Sequence, residues 1–276
     1  MQELRGRTAV ITGGGSGLGA AMARAFCAEG MRVVLADIAF ESAEAVATEL
    51  QSQGYEALPV PCDVADPRAL AALADAARGF GGCQLLCVNV GVVRIGHSDT
   101  LSLDDWRWVT EVNVLGSVAT TQAMLPLLRE APGEKHILFT SSVSGLVAAP
   151  CLSAYTASKY AVTGYAETLR LELADENIGV GLLFPNGMDT PHFASSLAAR
   201  PESLGEAPSL DMADAQAVAE ALTPSSDSVI DVDHAIRHLV PAIRENRPYL
   251  MTHAPNRASL DARLHALLDV VAHADD

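Results

Sequence analysis

Tyr155 and Lys159 stand four residues apart in a stretch with helical spacing, so both side chains fall on one helix face. A lone tyrosine has a pKa near ~10 and is a poor base at neutral pH. An ammonium beside it stabilises the phenolate and lowers that pKa, so the pair can give or take a proton. That is the proton chemistry that accompanies hydride transfer at a carbinol or ketone carbon. Tyr-x-x-x-Lys pairs also arise by chance, and the neighbouring sequence has to support the reading. Ser141 and Ser142 follow a strand-like run, with Ser142 thirteen residues before Tyr155. A hydroxyl at the carboxyl end of a strand points into the crevice where open α/β sheets bind ligands, and it can hold a substrate oxygen. Taken alone, the Ser-Ser pair reads better as a cap or turn.

A second constellation lies near the N-terminus. The string TGGGSGLG at 12–19 sits between a β-branched run and a helical one. Its glycines let the backbone turn sharply and approach a pyrophosphate closely, and the following helix offers free N–H groups and a positive dipole end. A glycine string alone is weak evidence; the strand before it and the helix after it give it meaning. Asp37 closes the next strand-like run, eighteen residues beyond Gly19. A carboxylate there can accept hydrogen bonds from a ribose 2′-hydroxyl and would repel a 2′-phosphate. It is followed by Ile38, not by Arg or Lys, and loop position 16 is Ser. These residues point to NAD over NADP. The plain alternative is that Asp37 merely ends a strand.

The elements that must position these residues alternate along the chain. Strand-like runs are read at 8–11, 32–36, 57–61, 84–88, 136–140 and 180–184. Helical runs are read at 20–29, 42–53, 67–78, 103–111, 114–130 and 155–177. Such alternation predicts βαβ units and a single-domain Rossmann fold: an α/β, doubly wound parallel sheet with helices on both faces, over residues 1–276. Residues 194–230, rich in Ala, Ser, Pro and acids, read as a mobile segment with some helix; from about 190 it is expected to cover the substrate. Strand-like sequence returns at 249–252, and 259–272 reads as a helical tail.

At this point six motifs agree in order and spacing with those of the short-chain dehydrogenase/reductase family. They are the glycine loop, Asn89-Val90-Gly91, Asn113, Ser142, Tyr155 with Lys159, and Pro185 to Thr190. The chain resembles that family over about residues 5–195. The resemblance implies a catalytic tetrad of Asn113, Ser142, Tyr155 and Lys159. Tyr155 would be the general acid/base, and Ser142 would hold the substrate oxygen. Lys159 would lower the pKa of Tyr155 and bind the nicotinamide ribose, while Asn113 would hold a water in a proton relay. Asp63 and Val64 would contact adenine, Asn89 would stabilise the sheet beside the cofactor, and Met188 and Thr190 would hold the carboxamide. The cofactor set is then Gly13, Ser16, Gly17, Leu18, Gly19, Asp37, Ile38, Asp63, Val64, Asn89, Gly91, Tyr155, Lys159, Pro185, Met188 and Thr190.

Two positions depart from the family pattern. Val90 replaces the usual Ala, and Asn186 replaces the usual Gly, where tolerance of left-handed backbone angles would let the turn survive. The tail from Ala242 to His253, with Arg257 and Arg263, is loosely similar to a branch that includes lignin-degrading Cα-dehydrogenases, enzymes that oxidise benzylic alcohols. The family implies homotetramers or dimers, with the 155–177 helix in an interface.

The rest of the chain narrows the class. Its 276 residues are about half apolar, enough for a large core. A formal net charge of −16 argues against nucleic acid as a partner. No apolar run reaches membrane-spanning length, no signal peptide is expected, and five scattered cysteines predict no disulfide framework; a reduced cytoplasm fits these features. Cys83 and Cys87 lack a second Cys or His pair and read as structural thiols, so no metal is expected. His234 and His238 read as solvated, and Trp106 and Trp108 as helix packing. His192 reads either as lining the substrate mouth or as surface. Val93, Arg94, Val147 and Phe193 occupy loops expected around the substrate, a secondary alcohol or ketone, apolar or aromatic. Two other functions compete: an NADPH-linked 3-ketoacyl reductase, opposed by Asp37, and a dinucleotide sensor without turnover, opposed by retention of the whole tetrad.

Overall fold

The computed structural model describes residues 1–205, 210–222, 229–253 and 257–273. Residues 206–209 and 223–228, within the expected covering segment, lie outside the described residues, as do 254–256 and 274–276. The core is a seven-stranded, wholly parallel sheet of order β3-β2-β1-β4-β5-β6-β7. The strands are β1 (Thr8–Thr12), β2 (Arg32–Asp37), β3 (Ala57–Pro61), β4 (Leu85–Val88), β5 (Lys135–Thr140), β6 (Ile178–Phe184) and β7 (Tyr249–Met251).

These strands are nearly continuous apolar runs because helices cover both faces, as parallel strands require. Alternate residues feed two cores. Ala9, Ile11, Val33, Leu35 and Cys87 pack with α1 (Gly17–Ala28) and α2 (Phe40–Ser52). Val10, Val34, Leu86, Ile137 and Phe139 face the opposite way. They meet α3 (Pro67–Phe80), α5 (Gly116–Glu130) and α6 (Ser153–Glu172), with α4 (Leu103–Thr110) leading into α5. Cys83 and Cys87 belong to opposite cores, and all five cysteines are free and buried.

Strand order reverses between β1 and β4, and the crevice outside their carboxyl ends is the ligand position of such sheets. Asn89 locks this edge. Its amide donates to the carbonyls of Thr12 (3.2 Å) and Gly13 (3.3 Å), its N–H donates to Thr12 Oγ1 (3.0 Å), and its Oδ1 accepts from Thr140 (2.9 Å). One side chain thus joins the ends of β1, β4 and β5.

Three boundaries differ from the sequence reading in ways that matter for the site. Helix α1 starts at Gly17, so Leu18 and Gly19 belong to its first turn and not to the loop. The expected helices 103–111 and 114–130 are one helical run, joined by a π-turn over Glu111–Leu115 that contains Asn113. Helix α6 stops at Glu172; residues 174–176 form a 3₁₀ turn, and Asn177 takes a left-handed φ of 60° to enter β6.

Beyond β6 the chain forms α7 (His192–Ala198), α8 (Met212–Leu222), α9 (Val232–Ala235), α10 (Leu239–Arg244) and, after β7, α11 (Arg257–Ala272). Among the described residues no helix is long and apolar enough to cross a membrane.

Candidate active site

The carboxyl edge of the sheet opens into a cavity of about 790 Å³. The N-terminal constellation forms one end of it. Gly13, Ser16, Gly17, Leu18, Asp37, Ile38, Asp63 and Val64 all line the wall. Gly19 lies behind them, and its position explains its type: a Cβ there would fall 1.9 Å from the Gly13 carbonyl oxygen. The loop and the first turn of α1 are therefore stacked as closely as backbone allows, leaving a shallow cradle beside the N-terminal N–H groups of a twelve-residue helix. Ser16, the N-cap residue, makes no side-chain cap bond.

Asp37 is held at the end of β2 by two backbone donors, Gly15 N–H to Oδ2 (2.9 Å) and Ala39 N–H to Oδ1 (3.0 Å). Each oxygen retains a lone pair for a further donor. Asp63 makes a similar turn, accepting from the Ala65 N–H at 2.9 Å.

The second constellation forms the floor at the other end. Asn89, Gly91, Ser142, Tyr155, Lys159, Pro185, Met188 and Thr190 line the same cavity. The loop after β5 reaches α6 because position 145 is glycine: a Cβ there would lie 2.3 Å from Ser141 Oγ and 2.9 Å from the Lys159 carbonyl. Ser141 bridges the two elements, with its hydroxyl against Thr163 Oγ1 (2.9 Å) and the Lys159 carbonyl (3.2 Å). Ser142 accepts from the Ser144 N–H at 3.1 Å and lines the cavity together with Tyr155. Lys159 is buried; its ammonium donates to the Thr140 carbonyl at 2.9 Å and lies 5.6 Å from the Tyr155 ring centroid.

Burial pushes the Tyr155 pKa up, with the Ser142 hydrogen bond pulling the other way. Burial pulls the Lys159 pKa down to about 8. The net direction for Tyr155 is the reverse of that expected from the Lys159 spacing. Burial of the phenol favours its neutral form, and Lys159, itself pulled down to about 8, gives up its proton before the phenol does and so does not offset that.

Asn113 does not touch the cavity. It is fully buried, where its Oδ1 accepts from Val92 N–H (2.7 Å) and its amide donates to the Val92 carbonyl (2.9 Å) and Ser158 Oγ (2.9 Å). Its own carbonyl accepts from Ser117 at 2.7 Å. Asn113 therefore ties the π-turn to the loop after β4 and to α6, one residue before Lys159.

Asn186 takes no left-handed angle, so the tolerance expected of it is not used. Its N–H is held instead by Thr252 Oγ1 at 3.1 Å, across the sheet edge. Val90 lines the cavity beside Gly13. Of the loop residues expected around the substrate, Val93 and Phe193 line the cavity. Arg94 is turned into the protein towards Asp105 (3.9 Å), and Val147 lies outside the lining. Trp108, expected only to pack, both packs and lines the wall.

His192 resolves towards the cavity, with its ring centroid 6.3 Å from that of Tyr155. The side chain is exposed at the cavity mouth, and the protein packed around it and then the Lys159 charge lower its pKa. Val218, Ala219 and Leu222 of α8, in the segment expected to cover the substrate, line the outer wall, residues that the segment's weak periodicity did not single out. Sequence reasoning missed the Asp105 node, where Arg200 of the covering segment approaches Asp105 at 3.2 Å under a Ser102 capping box.

Sheet order and glycine cradle define a dinucleotide-binding α/β protein of the doubly wound class. Comparison with known proteins narrows the class. Residues 7–201 match the family model for short chain dehydrogenase. The 3-alpha-(or 20-beta)-hydroxysteroid dehydrogenase of Mycobacterium tuberculosis is 36% identical over 190 residues, 68% of this chain and 72% of that one. A short-chain dehydrogenase/reductase from Burkholderia phymatum, solved in complex with NAD, superimposes with a TM-score of 0.83 at 34% identity, covering 92% of this chain and 91% of that one. The apo form of LigO from Sphingobium sp. strain SYK-6 gives a TM-score of 0.79 at 30% identity, over all of this chain and 93% of that one. The chain belongs to the short-chain dehydrogenase family. It is an oxidoreductase of CH–OH groups that works with a nicotinamide dinucleotide.

Proposed function

We propose that this enzyme is an NAD-linked dehydrogenase of secondary alcohols carried on apolar ring systems, acting through Ser142, Tyr155 and Lys159. The observation that carries the reading is one cavity lined by the glycine cradle and Asp37 at one end and by Ser142, Tyr155 and Lys159 at the other. The bound nicotinamide supplies the hydride acceptor or donor. Gly13 to Gly19 would hold its pyrophosphate, Asp37 its adenine-side ribose, Asp63 and Val64 the adenine, and Met188 and Thr190 the carboxamide.

Tyr155 moves the proton. Its protonated phenol, favoured by burial, is the form that donates to a ketone oxygen; in the alcohol direction the phenolate accepts the hydroxyl proton. Ser142 holds the same substrate oxygen, its Oγ oriented by the Ser144 N–H. Lys159 places a positive charge under the ribose and beside the phenol. Asn113 keeps the loop after β4 and α6 in register for Lys159, and its water-relay role belongs to this proposal. A wall containing Val93, Trp108, Phe193 and α8 would exclude water around an apolar substrate.

Preference for NAD rests on Asp37. Among the described residues, the Lys and Arg on the cavity wall are Lys159, at the opposite end, and Arg107, paired with Asp104 at 2.7 Å. A 2′-phosphate at Asp37 would therefore meet a carboxylate and, among the described residues lining that end of the cavity, no Lys or Arg. The Burkholderia phymatum relative solved with NAD supports the same choice. The hydroxysteroid dehydrogenase name of the mycobacterial relative supports an alicyclic substrate.

The test is reduction of NAD and of NADP, in parallel, on aryl, alicyclic, steroid and aliphatic secondary alcohols. NAD-linked turnover should fall roughly 10²–10⁴-fold in Tyr155→Phe with cofactor affinity retained. Silence across the panel with NAD still bound would defeat this substrate reading, leaving a substrate outside these classes or a sensor.

A further inference from the structure

A side-chain cluster stands on the outer rim of the cavity, apart from the residues assigned above. Three chain segments bring together an imidazole, a thiol and a carboxylate. Asp214 Oδ1 lies 3.4 Å from Cys151 Sγ and 3.9 Å from His97 Nε2, and all three candidate ligand atoms fall within 4.8 Å of one another. We propose that His97, Cys151 and Asp214 bind one divalent transition metal of the zinc class, with a fourth position open to water.

The separations fit that chemistry. Tetrahedral zinc with bonds of ~2.3 Å to sulfur and ~2.0–2.1 Å to nitrogen or oxygen holds its ligand atoms ~3.3–3.6 Å apart. The Cys151–Asp214 spacing already satisfies this, and the remaining gaps close with about 1 Å of movement. The His97 side chain can supply it, being 68% exposed. Thiolate, imidazole and carboxylate together suit zinc better than magnesium or calcium, which take oxygen ligands.

Two of the three positions are fixed by backbone. The Gly96 N–H donates to the Cys151 carbonyl at 2.9 Å, and Gly96 pairs with Leu152 in an isolated parallel bridge. Cys151 itself holds a left-handed φ of 59°, uncommon for a residue with a Cβ. Asp214 comes from the first turn of α8, whose Val218, Ala219 and Leu222 form the outer cavity wall. A metal here joins the covering helix to the body, so occupancy restrains the wall that closes over substrate.

Cobalt(II) titration of the metal-stripped full chain tests this. The expected result is one Co²⁺ per chain with a thiolate-to-cobalt charge-transfer band. The band should vanish in Cys151→Ser, and affinity should drop at least ~10-fold in His97→Ala and Asp214→Asn. Zn²⁺ should displace the cobalt and raise the Tm of the wild type but not of Cys151→Ser. The exposure of His97 makes His97→Ala safe for folding. Absence of the band in the wild type overturns the proposal. So does wild-type cobalt affinity in both His97→Ala and Asp214→Asn, which would mean a lone thiol that hydrogen-bonds to a carboxylate.

Discussion

Replacing Lys159 by Met should stabilise the protein at neutral pH relative to pH 10 while abolishing turnover. Lys159 is 3% exposed, and burial pulls its pKa from the ordinary 10.5 down to about 8. Between these values the unfolded chain keeps a proton that the folded chain has released, so stability rises with pH across that window. Below it the full penalty is present, about 3 kcal/mol at pH 7. Lys159→Met removes the penalty. It also leaves the Thr140 carbonyl without its donor, at a cost of ~1–3 kcal/mol that does not vary with pH. The stability difference, variant minus wild type, should therefore fall by roughly 2–3 kcal/mol between pH 7 and pH 10. The buried thiols Cys27 and Cys62, pushed up to about 11 by burial, make both proteins less stable as pH rises above the unfolded thiol pKa. Their effect cancels in the difference, as does that of Cys83 and Cys87. Urea unfolding of both proteins without nucleotide, at pH 7, 8, 9 and 10, measures it. A difference independent of pH would show that Lys159 is not held in a medium that disfavours its charge.

Other outcomes follow from single contacts. Gly19→Ala places a methyl against the Gly13 carbonyl, so NAD affinity by calorimetry should fall more than ~10-fold with the far-ultraviolet spectrum unchanged; affinity within twofold of wild type would refute the cradle geometry. Asp37→Ala combined with Ile38→Arg removes the repelling carboxylate and adds a phosphate partner, and should raise the NADP-to-NAD ratio of kcat/KM by ~10-fold or more. An unchanged ratio would mean that the cofactor's 2′ position is read elsewhere. Light scattering should show a dimer or tetramer. Leu171, 78% exposed on α6, is a candidate contact, so Leu171→Glu should shift the mass downward. A monomeric wild type would defeat the oligomer reading.

Much of this protein is legible in sequence because the relevant physics is local. The glycine string, the strand before it and Asp37 at the end of the next strand lie within one βαβ unit, where residue type and spacing alone determine the turn and the cradle. Tyr155 and Lys159 share a helix face by periodicity, and the alternation of apolar strands with amphipathic helices is enough to predict the doubly wound sheet.

Other features depend on groups brought from far along the chain. Two separate helical patterns merge at a π-turn because the Asn113 side chain is held by Val92 and Ser158. The turn at Asn186 survives through Thr252, sixty-six residues away, and not through left-handed tolerance. Trp108 and α8 become cavity walls only when the covering segment folds back, with Arg200 at Asp105. Burial, which raises the pKa of Tyr155, acts on it alongside the lysine that spacing places nearby. Spacing tells which charges are near; the balance of burial and hydrogen bonding that sets their pKa values exists only once the chain has closed around them.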